Sequence, residues 1–351
     1  CKNLDSEVFA AIATCTSLET LDLSDTDIRD KDLSAILKKN KNLTDLNVSD
    51  CQYIAELNLS GYKKLSSENI KKMCVGCKHL TTLNLSGTDI TDTDLKEILQ
   101  ACPRVSTLNL ADCLQLTSLK LTRDTKITTL TLNGCTQLAT LDIERDGDRR
   151  VNITHLHVSG CKQLNEDSID KIVQRFKKLE DLDMSGTGIN SDQFETLNSQ
   201  NSKLNCVKLR GCMNLKDLEI RPKFEQKDAT STEDAHYEIN EELNLSFDLS
   251  GCTQLSKVTL PSDDSKIKSL KITSLNLSGC KSLSEQSFTD IAKHCTQLQK
   301  LDLSATPIPA QQLQQLLKNN ADLTAFKLIG CESLKSVKFD VIANQCTKLQ
   351  E

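Results

Sequence analysis

The amino-acid sequence predicts an α/β solenoid built on a parallel concave sheet of about twelve strands. The first observation is a recurring unit. Leu80–Cys113 opens with the apolar pattern L-x-x-L-x-L and opens again with the same pattern 25 residues later, at Val105. The second observation is a small residue, Cys or Thr, that follows each L-x-x-L-x-L pattern at a fixed distance and closes the copy. A fixed period of roughly 20 to 50 residues is typical of solenoids, in which each coil buries its core against its neighbours.

Twelve copies of the opening run along the chain. In nearly every copy, apolar residues lie three places before and two places after a middle apolar residue, and Cys or Thr lies five places after it. The middle residues are Leu21, Leu46, Leu83, Leu108, Leu130, Leu156, Leu182, Val207, Phe247, Leu275, Leu301 and Phe326. Alternation with period two predicts a half-buried strand whose leucines face inward and whose intervening residues face outward. Stacked copies therefore form a parallel ladder.

Six copies are followed by a predicted amphipathic helix, because apolar residues recur at positions i, i+3 and i+4. These helices cover Ile28–Leu37, Ile90–Leu99, Ile169–Phe176, Ile189–Leu197, Phe288–Ile291 and Ile308–Leu317. Asp92 and Ser191 are placed as N-caps, since a side-chain oxygen at that position accepts from the first free N–H groups of a helix.

The other six copies are followed by a second strand-like segment, 11 residues beyond the middle residue of the copy. The segments centre on Leu57, Leu119, Leu141, Leu218, Val258 and Val337. Eleven extended residues span at most ~36–40 Å, too short a path to round the coil and return beside the first strand. We therefore expect a convex side of mixed helices and short strands. An alternative makes Leu57 a ladder strand, since Ser66–Cys77 resembles its helix.

Length, charge and hydropathy limit the class of protein. A chain of 351 residues ordinarily suggests two domains, but coils that need only their neighbours favour a single domain, 1–351. The net charge is −6 and no run of Lys or Arg occurs, which argues against a nucleic-acid partner. No apolar run approaches ~20 residues and no signal-peptide pattern opens the chain, which argues against a membrane.

Sixteen cysteines would suggest a disulfide scaffold in a short secreted protein. Here nine of them occupy the position that closes an opening, where Thr replaces Cys in other copies. A disulfide partner could not be replaced in this way. We expect buried, reduced packing residues and a cytoplasmic location.

The two ends and one insertion depart from the repeat. Cys1-Lys-Asn-Leu4 aligns with Cys161-Lys-Gln-Leu164, and Cys346 opens a copy that is not completed, so we expect a chain truncated at both ends. Residues 221–242 lengthen one repeat to 40 residues and hold seven acidic residues. Such a segment predicts an exposed insertion.

The full unit, L-x-x-L-x-L-x-x-[CT] followed by I-T-D-x-x-L-x-x-[IL]-x-x-x-C as in Leu80–Cys102, resembles the cysteine-containing subclass of leucine-rich repeats. Such repeats occur in F-box-type ubiquitin-ligase substrate receptors and in eukaryote-like effectors of intracellular bacteria. The resemblance implies recognition of a protein by the concave strands. No F-box helices are found in the sequence, so it gives no support for ligase recruitment by this chain itself. The predicted convex strands also depart from the helical backs usual in the family.

The outward residues of the ladder are mostly small and polar, such as Ser, Asn and Thr. Three adjacent copies differ, because they carry charged or ionisable residues. These are His155 and His157, Asp181 and Asp183, and Cys206 with Lys208 and Arg210. Neighbouring strands lie ~4.8 Å apart, so three copies would form one patch about 10 Å tall. We expect the lysine and arginine to meet a carboxylate or phosphate, and the aspartates to meet a basic side chain.

Two sharper interpretations of these residues compete with a binding patch. The paired histidines and aspartates could ligate zinc or nickel, since residues i and i+2 of a strand share a face. Cys206 with a histidine could form a nucleophilic dyad. Side chains of these types commonly just bind a partner, and no set of nucleophile, base and orienting group is found. We therefore assign no catalytic residue, metal or cofactor. Cys74-x-x-Cys77 has no second pair and is interpreted as structural.

The predicted function is therefore non-catalytic binding of a protein or peptide on the concave face, as a substrate receptor or effector. The location would be the cytoplasm, or the host cytosol for a bacterial effector. The alternatives are the recognition half of a ubiquitin ligase, whose activity lies outside this chain, or a leucine-rich repeat protein that activates a GTPase.

Overall fold

The computed structural model describes residues 4–122, 124–144, 151–220, 224–226, 237–239, 244–260, 271–334 and 348–350. The chain forms two compact units, Cys1–Phe176 and Lys177–Glu351. Cys1, Cys346, the predicted strand at Val337 and most of the predicted insertion at 221–242 lie outside the described residues.

The first unit alternates short strands with helices, as the apolar periodicity predicts. Its strands are β1 (Thr20–Asp22), β2 (Asp45–Asn47), β3 (Glu56–Asn58), β4 (Thr82–Asn84), β5 (Thr107–Asn109), β6 (Ser118–Leu121), β7 (Thr129–Thr131), β8 (Thr140–Ile143) and β9 (His155–His157). Its helices are α1 (Ser6–Ile12), α2 (Asp30–Lys39), α3 (Ser67–Gly76), α4 (Asp92–Ala101) and α5 (Glu166–Arg175). Strands β3, β4, β5, β7 and β9 form a parallel ladder in that order, with the middle leucines in register.

Strands β1 and β2 pair with each other outside that ladder. Helix α2 contacts β3, and Asp30 Oδ1 at the start of α2 accepts the N–H groups of Ala55 and Glu56, both at 2.9 Å. Helix α3 contacts β2 instead. The strand side and the helix side of the coil therefore exchange places between β2 and β3.

This exchange corrects the prediction for Leu57. Leu57 pairs in register with Leu83 as a strand of the ladder, and Ser67–Gly76 is the helix that follows it. The favoured placement on the convex side is wrong, and the alternative is confirmed. The connection from β2 is too short to return beside β2, so the chain crosses to the opposite side of the coil and continues from there.

Gly76 lets the end of α3 pack closely against the turn after β2. A Cβ atom at this position would lie 2.6 Å from the Cα atom of Ser49, closer than any carbon atoms pack. The missing side chain lets the end of α3 approach the turn after β2, where the N–H of Asp50 donates to the Gly76 carbonyl at 3.1 Å.

The second strands predicted elsewhere are confirmed where the structure describes them. In the first unit β6 and β8 pair in parallel, with Leu119 opposite Leu141. In the second unit β12 (Asp217–Glu219) and β16 (Lys257–Thr259) pair in the same way, with Leu218 opposite Val258.

The second unit continues the same pattern. Its other strands are β10 (Asp181–Asp183), β11 (Cys206–Lys208), β13 (Phe224–Gln226), β14 (Tyr237–Ile239), β15 (Asn244–Asp248), β17 (Lys271–Asn276), β18 (Lys300–Asp302) and β19 (Ala325–Lys327), and its helices are α6 (Ser191–Gln200), α7 (Glu285–His294) and α8 (Ala310–Asn319). Strands β10, β11, β15, β17, β18 and β19 form its parallel ladder. Strands β13 and β14 pair antiparallel within the insertion.

The predicted N-caps are wrong by one residue. Thr91 and Asn190 cap α4 and α6, and each accepts an N–H from the third residue of its helix. Asp92 and Ser191 instead bond the next repeat. The Asp92 carboxylate accepts the N–H groups of Thr117 and Ser118 at 2.9 and 3.0 Å, and Ser191 Oγ accepts those of two residues in the following repeat. The first residue of the helix thereby ties consecutive coils together.

The described cysteines that lie five places after the middle residue of a copy are buried, as predicted, and each has a hydrogen bond that the sequence did not reveal. Each thiol donates to a carbonyl in the turn of the preceding repeat, at 3.0 to 3.3 Å. The thiols belong to Cys51, Cys113, Cys135, Cys161, Cys212, Cys252, Cys280 and Cys331. Where Thr replaces Cys, as at Thr88, the hydroxyl donates to the carbonyl three residues before it. A Cys at this position therefore links its turn to the preceding repeat, whereas a Thr bonds within its own turn.

Candidate functional site

The outward positions of the two ladders hold the residues that the sequence singles out. His155 and His157 flank the middle residue of β9 in the first unit. In the second unit, Asp181 and Asp183 flank the middle of β10, Cys206 and Lys208 flank the middle of β11, and Arg210 follows β11. Arg210 is exposed and the others are half-buried. All seven are therefore partly open to solvent, as predicted for this face.

The two histidines face different neighbours within the first unit. The register places His155 beside Thr129 and His157 beside Thr131, so the surrounding surface is hydroxyl-rich. Nδ1 of His155 shares a hydrogen bond with the Thr154 hydroxyl at 2.8 Å. Among the described residues, no group of three or more His, Cys, Asp or Glu side chains is arranged to hold a metal ion.

The acidic and basic residues of the second unit come together. The register pairs Asp181 with Cys206 and Asp183 with Lys208. On the other side, Lys208 is in register with Asp248 of β15. Arg210 Nε lies 3.5 Å from Asp248 Oδ2. Asp248 therefore joins the cluster, and the sequence could not show this because a 40-residue repeat separates it from its partner.

Cys206 has the wrong environment for a nucleophile. Burial raises the pKa of this thiol to about 11, and the neighbouring Asp181 carboxylate adds to the shift. The thiolate is the reactive form of cysteine. A thiol that stays protonated at neutral pH supports the interpretation of Cys206 as a packed residue of the strand face.

The residue after the middle of each strand usually forms the turn that follows. Its side-chain oxygen accepts the N–H of the residue two places on, at 2.9 to 3.1 Å, in a local turn typical of Asp and Asn. The residues that do so are Asp22, Asn47, Asn58, Asn84, Asn109, Asp183, Asp248, Asn276 and Asp302. The abundance of Asp and Asn at this position therefore has a structural cause.

In three other repeats this position holds His157, Lys208 or Lys327 instead of Asp or Asn. In each case a side chain of the preceding repeat accepts the N–H instead. Asn133 Oδ1 accepts from Ser159 at 2.8 Å, Ser185 Oγ from Arg210 at 3.1 Å, and Ser304 Oγ from Ile329 at 3.0 Å. The N–H of the turn is thus accepted by a side chain of the preceding repeat.

The ladder face of the second unit holds an open cavity of about 350 Å³. Charged residues of four strands line it, namely Lys208, Asp248, Lys300, Asp302 and Lys327. Only Lys208 of this set was identified from the sequence. The other four residues lie in repeats that the sequence places in order along the ladder. Their charges, however, do not distinguish them from the many other charged residues of the chain.

None of the described helices has the length and apolar character that crossing a lipid bilayer requires.

The chain matches known leucine-rich repeats. The family model for the leucine-rich repeat matches residues 14–37, 39–55 and 76–99. The BTB/POZ domain-containing protein FBL11 of Arabidopsis thaliana is 32% identical over 106 residues, which are 30% of this chain and 10% of that protein. The chain therefore spans about a tenth of the length of this relative.

Two solved structures give further comparisons. In the crystal structure of the Rad7 and Elc1 complex in yeast, one chain is 18% identical with a TM-score of 0.46, and the alignment covers 95% of this chain and 82% of that one. The functional domain of InlJ from Listeria monocytogenes, which includes a cysteine ladder, is 22% identical with a TM-score of 0.31, over 98% and 68% of the two chains. The repeats, the parallel ladders and the family match confirm the predicted leucine-rich repeat fold.

Proposed function

We propose that this leucine-rich repeat chain binds a protein partner through the strand face of its second unit, and that Lys208 and Arg210 are the central contacts. The observation that carries the proposal is the turn after β11. Ser185 of the preceding repeat accepts the Arg210 N–H, so Lys208 replaces the usual Asp or Asn without loss of the turn. A structural role for the lysine in this turn is thereby removed, and an outward charge is gained.

The chemistry of the cluster fits a charged protein surface. Arginine and lysine bind carboxylate or phosphate groups through charge-assisted hydrogen bonds. Asp181 and Asp183, on the adjacent strand, fit a basic side chain of the same partner. Arg210 is already oriented by Asp248, which reduces the conformational freedom that it loses on binding. His155 and His157 of the first unit are also proposed as residues that contact the partner.

The biological role that we propose is that of a substrate receptor or effector in the cytoplasm. The match to a tenth of a BTB/POZ domain-containing protein supports a recognition module within a larger assembly. Under this proposal the chain itself catalyses no reaction, and a second form of the role is the recognition half of a ubiquitin ligase. No observation favours activation of a GTPase.

Charge reversal tests the proposed function. The chain carrying Lys208→Glu and Arg210→Glu should capture at least tenfold less of its partner protein from cytosolic extract, with the captured protein identified and quantified by mass spectrometry. The matched control is Lys257→Glu with Lys281→Glu, which makes the same charge change at two exposed positions away from the ladder face. Circular dichroism should be unchanged in both variants, because neither pair is buried. Partners that both variants retain would refute the role of this face.

A further inference from the structure

An entry row of aromatic and basic side chains follows the edge of the first ladder at which its strands begin. Its members lie four places before the middle residue of each strand, and they are Tyr53, His79, Arg104 and Lys126. The register of β3, β4, β5 and β7 places them side by side, one strand spacing of ~4.8 Å apart. All four are exposed. They therefore line one edge about 14 Å long.

Two contacts orient the side chains of the entry row. Arg29, the N-cap residue of α2, places its Cζ atom 5.3 Å from the centre of the Tyr53 ring. Nη1 of Arg104 donates to Nδ1 of His79 at 3.3 Å, because a guanidinium group can only donate. In the described part of the chain, neither arginine is in an ion pair with a carboxylate. Both are held by uncharged rings, and their positive charge is available to a ligand.

The fold requires neither the ring nor the charges at this position. Other repeats place Ser17, Asn42 and Asn152 there, and part of the second unit has lysine, as at Lys178. Tyr53 is 51% exposed in a chain whose aromatic content is 3%. Exposed tyrosine beside arginine is typical of the residues that dominate binding energy at protein interfaces.

The surrounding charges favour a short anionic ligand. Asp30 follows Arg29 beside the tyrosine, and Asp124 lies two residues before Lys126 at the other end. A long, uniformly negative polymer such as a nucleic acid would extend past both carboxylates, and the chain has a net charge of −6. A short acidic segment of a protein avoids these carboxylates, and an aromatic side chain within it can pack on the Tyr53 ring.

We infer that the entry row of the first unit binds a short acidic segment of a partner protein. Carboxylates of the segment bind Arg104 and Lys126 through charge-assisted hydrogen bonds. An aromatic side chain of the segment packs against Tyr53, and such ring pairs gain more than the area that they bury. The inference goes beyond the proposed function and does not rest on it, because it uses no residue of the second unit.

Labelled peptides test the chemistry of the ligand. A short fluorescein-labelled peptide would alternate glutamate with serine around a central phenylalanine, and its affinity for the full chain would be measured by fluorescence anisotropy. It should bind at least tenfold more tightly than the same peptide with lysine in place of glutamate. A labelled oligothymidylate of equal charge should bind more weakly than the acidic peptide. Equal affinity for the glutamate and lysine peptides, or tighter binding of the oligothymidylate, overturns the inference.

Charge reversal locates the contact. Arg104→Glu should weaken binding of the acidic peptide at least tenfold. Lys178→Glu makes the same charge change at the same position of another repeat and should weaken binding less than twofold. Both side chains are exposed, so circular dichroism should be unchanged in both variants. Equal loss of affinity in the two variants would show that only the net charge matters and would overturn the inference.

Removal of the ring tests the aromatic contact. Tyr53→Ser introduces the residue type that the first repeat has at this position, and it should weaken the phenylalanine peptide about threefold. A peptide with alanine in place of phenylalanine should bind this variant and the parent equally. The same loss for both peptides would contradict the inference.

The variant with Lys208→Glu and Arg210→Glu separates this inference from the proposed function. It should bind the acidic peptide as tightly as the parent does, whatever it captures from extract. Loss of peptide binding in this variant would place the peptide on the second unit and overturn the inference.

Discussion

At the scale of single residues, Cys and Thr occupy equivalent positions of the repeat but make different hydrogen bonds. In the turn after β4, the Leu85 carbonyl accepts the Thr88 hydroxyl of its own repeat and the Cys113 thiol of the next. A Thr therefore bonds within its own turn, whereas a Cys bonds to the turn of the preceding repeat. Both residue types are small enough to be buried there, as the sequence predicted, and the structure shows which turn each one stabilises.

The buried thiols predict a loss of stability at alkaline pH. Burial raises the pKa of Cys161 from the ordinary value of 9.0 to about 12. The folded state therefore keeps this proton where the unfolded state releases it. The contribution to stability is complete below pH 9.0 and is lost as the pH rises toward 12, by about 2 kcal/mol for one such thiol between pH 9 and pH 10.5.

Urea unfolding in reducing buffer across this pH range measures the effect. Cys161→Thr should reduce the fall in unfolding free energy by the share of one thiol. Tyr62, whose pKa burial raises to about 12, remains in both proteins and cancels from the comparison. Identical pH dependence in the variant and the parent would contradict the assignment to this thiol.

At the scale of secondary-structure elements, the turn after each strand determines which outward residues are free for recognition. Asp183 is half-buried and charged, yet its carboxylate accepts the Ser185 N–H at 3.0 Å and so has a structural role as well. Lys208 has no such role, because Ser185 Oγ accepts the N–H that an Asp at this position would take. A list of charged residues from the sequence cannot separate these two cases.

A double-mutant cycle tests the exchange of hydrogen bonds. Ser185→Ala leaves the Arg210 N–H without its acceptor and should cost about 1 kcal/mol of unfolding free energy. Lys208→Asn restores a side-chain oxygen in the same repeat, so the second variant should recover most of that loss. The free energies come from urea denaturation of the parent, both single variants and the double variant. Additive effects of the two substitutions would show that the two side chains do not serve the same N–H.

The crossing between β2 and β3 depends on a close approach of two elements. Gly76→Ala would place a Cβ atom 2.6 Å from the Ser49 Cα atom, so backbone must move. Overpacking of this kind typically costs about 1–3 kcal/mol, measurable as a lower midpoint of urea denaturation. The control is Val75→Ala, at a neighbouring residue that is 42% exposed. A Gly76→Ala protein as stable as this control would mean that α3 and the turn after β2 are not in contact.

At the scale of the whole molecule, two compact units repeat one architecture, a ladder of short parallel strands with helices or second strands on its other side. The middle residues of the twelve copies all lie within strands, as predicted. Four of the six predicted helices begin two residues early, because the apolar residue that starts the pattern, such as Ile28 or Ile90, is buried ahead of the helix. The other two predictions, at Ile169 and Phe288, begin three residues late, because the first turn of each helix is polar. Local periodicity reports which residues are buried and not where a helix begins.

The sequence by itself determined the repeat, the strand positions, the buried cysteines and the outward residues of each strand, because all of these follow from spacing along a single coil. The tertiary structure alone decided the exchange of sides between β2 and β3, the position of Asp248 beside Arg210, and the turns completed by Ser185 and Ser304. Each of these depends on which residues of neighbouring coils come within hydrogen-bonding or packing distance. Such contacts join residues 25 to 40 positions apart, and no local pattern encodes them.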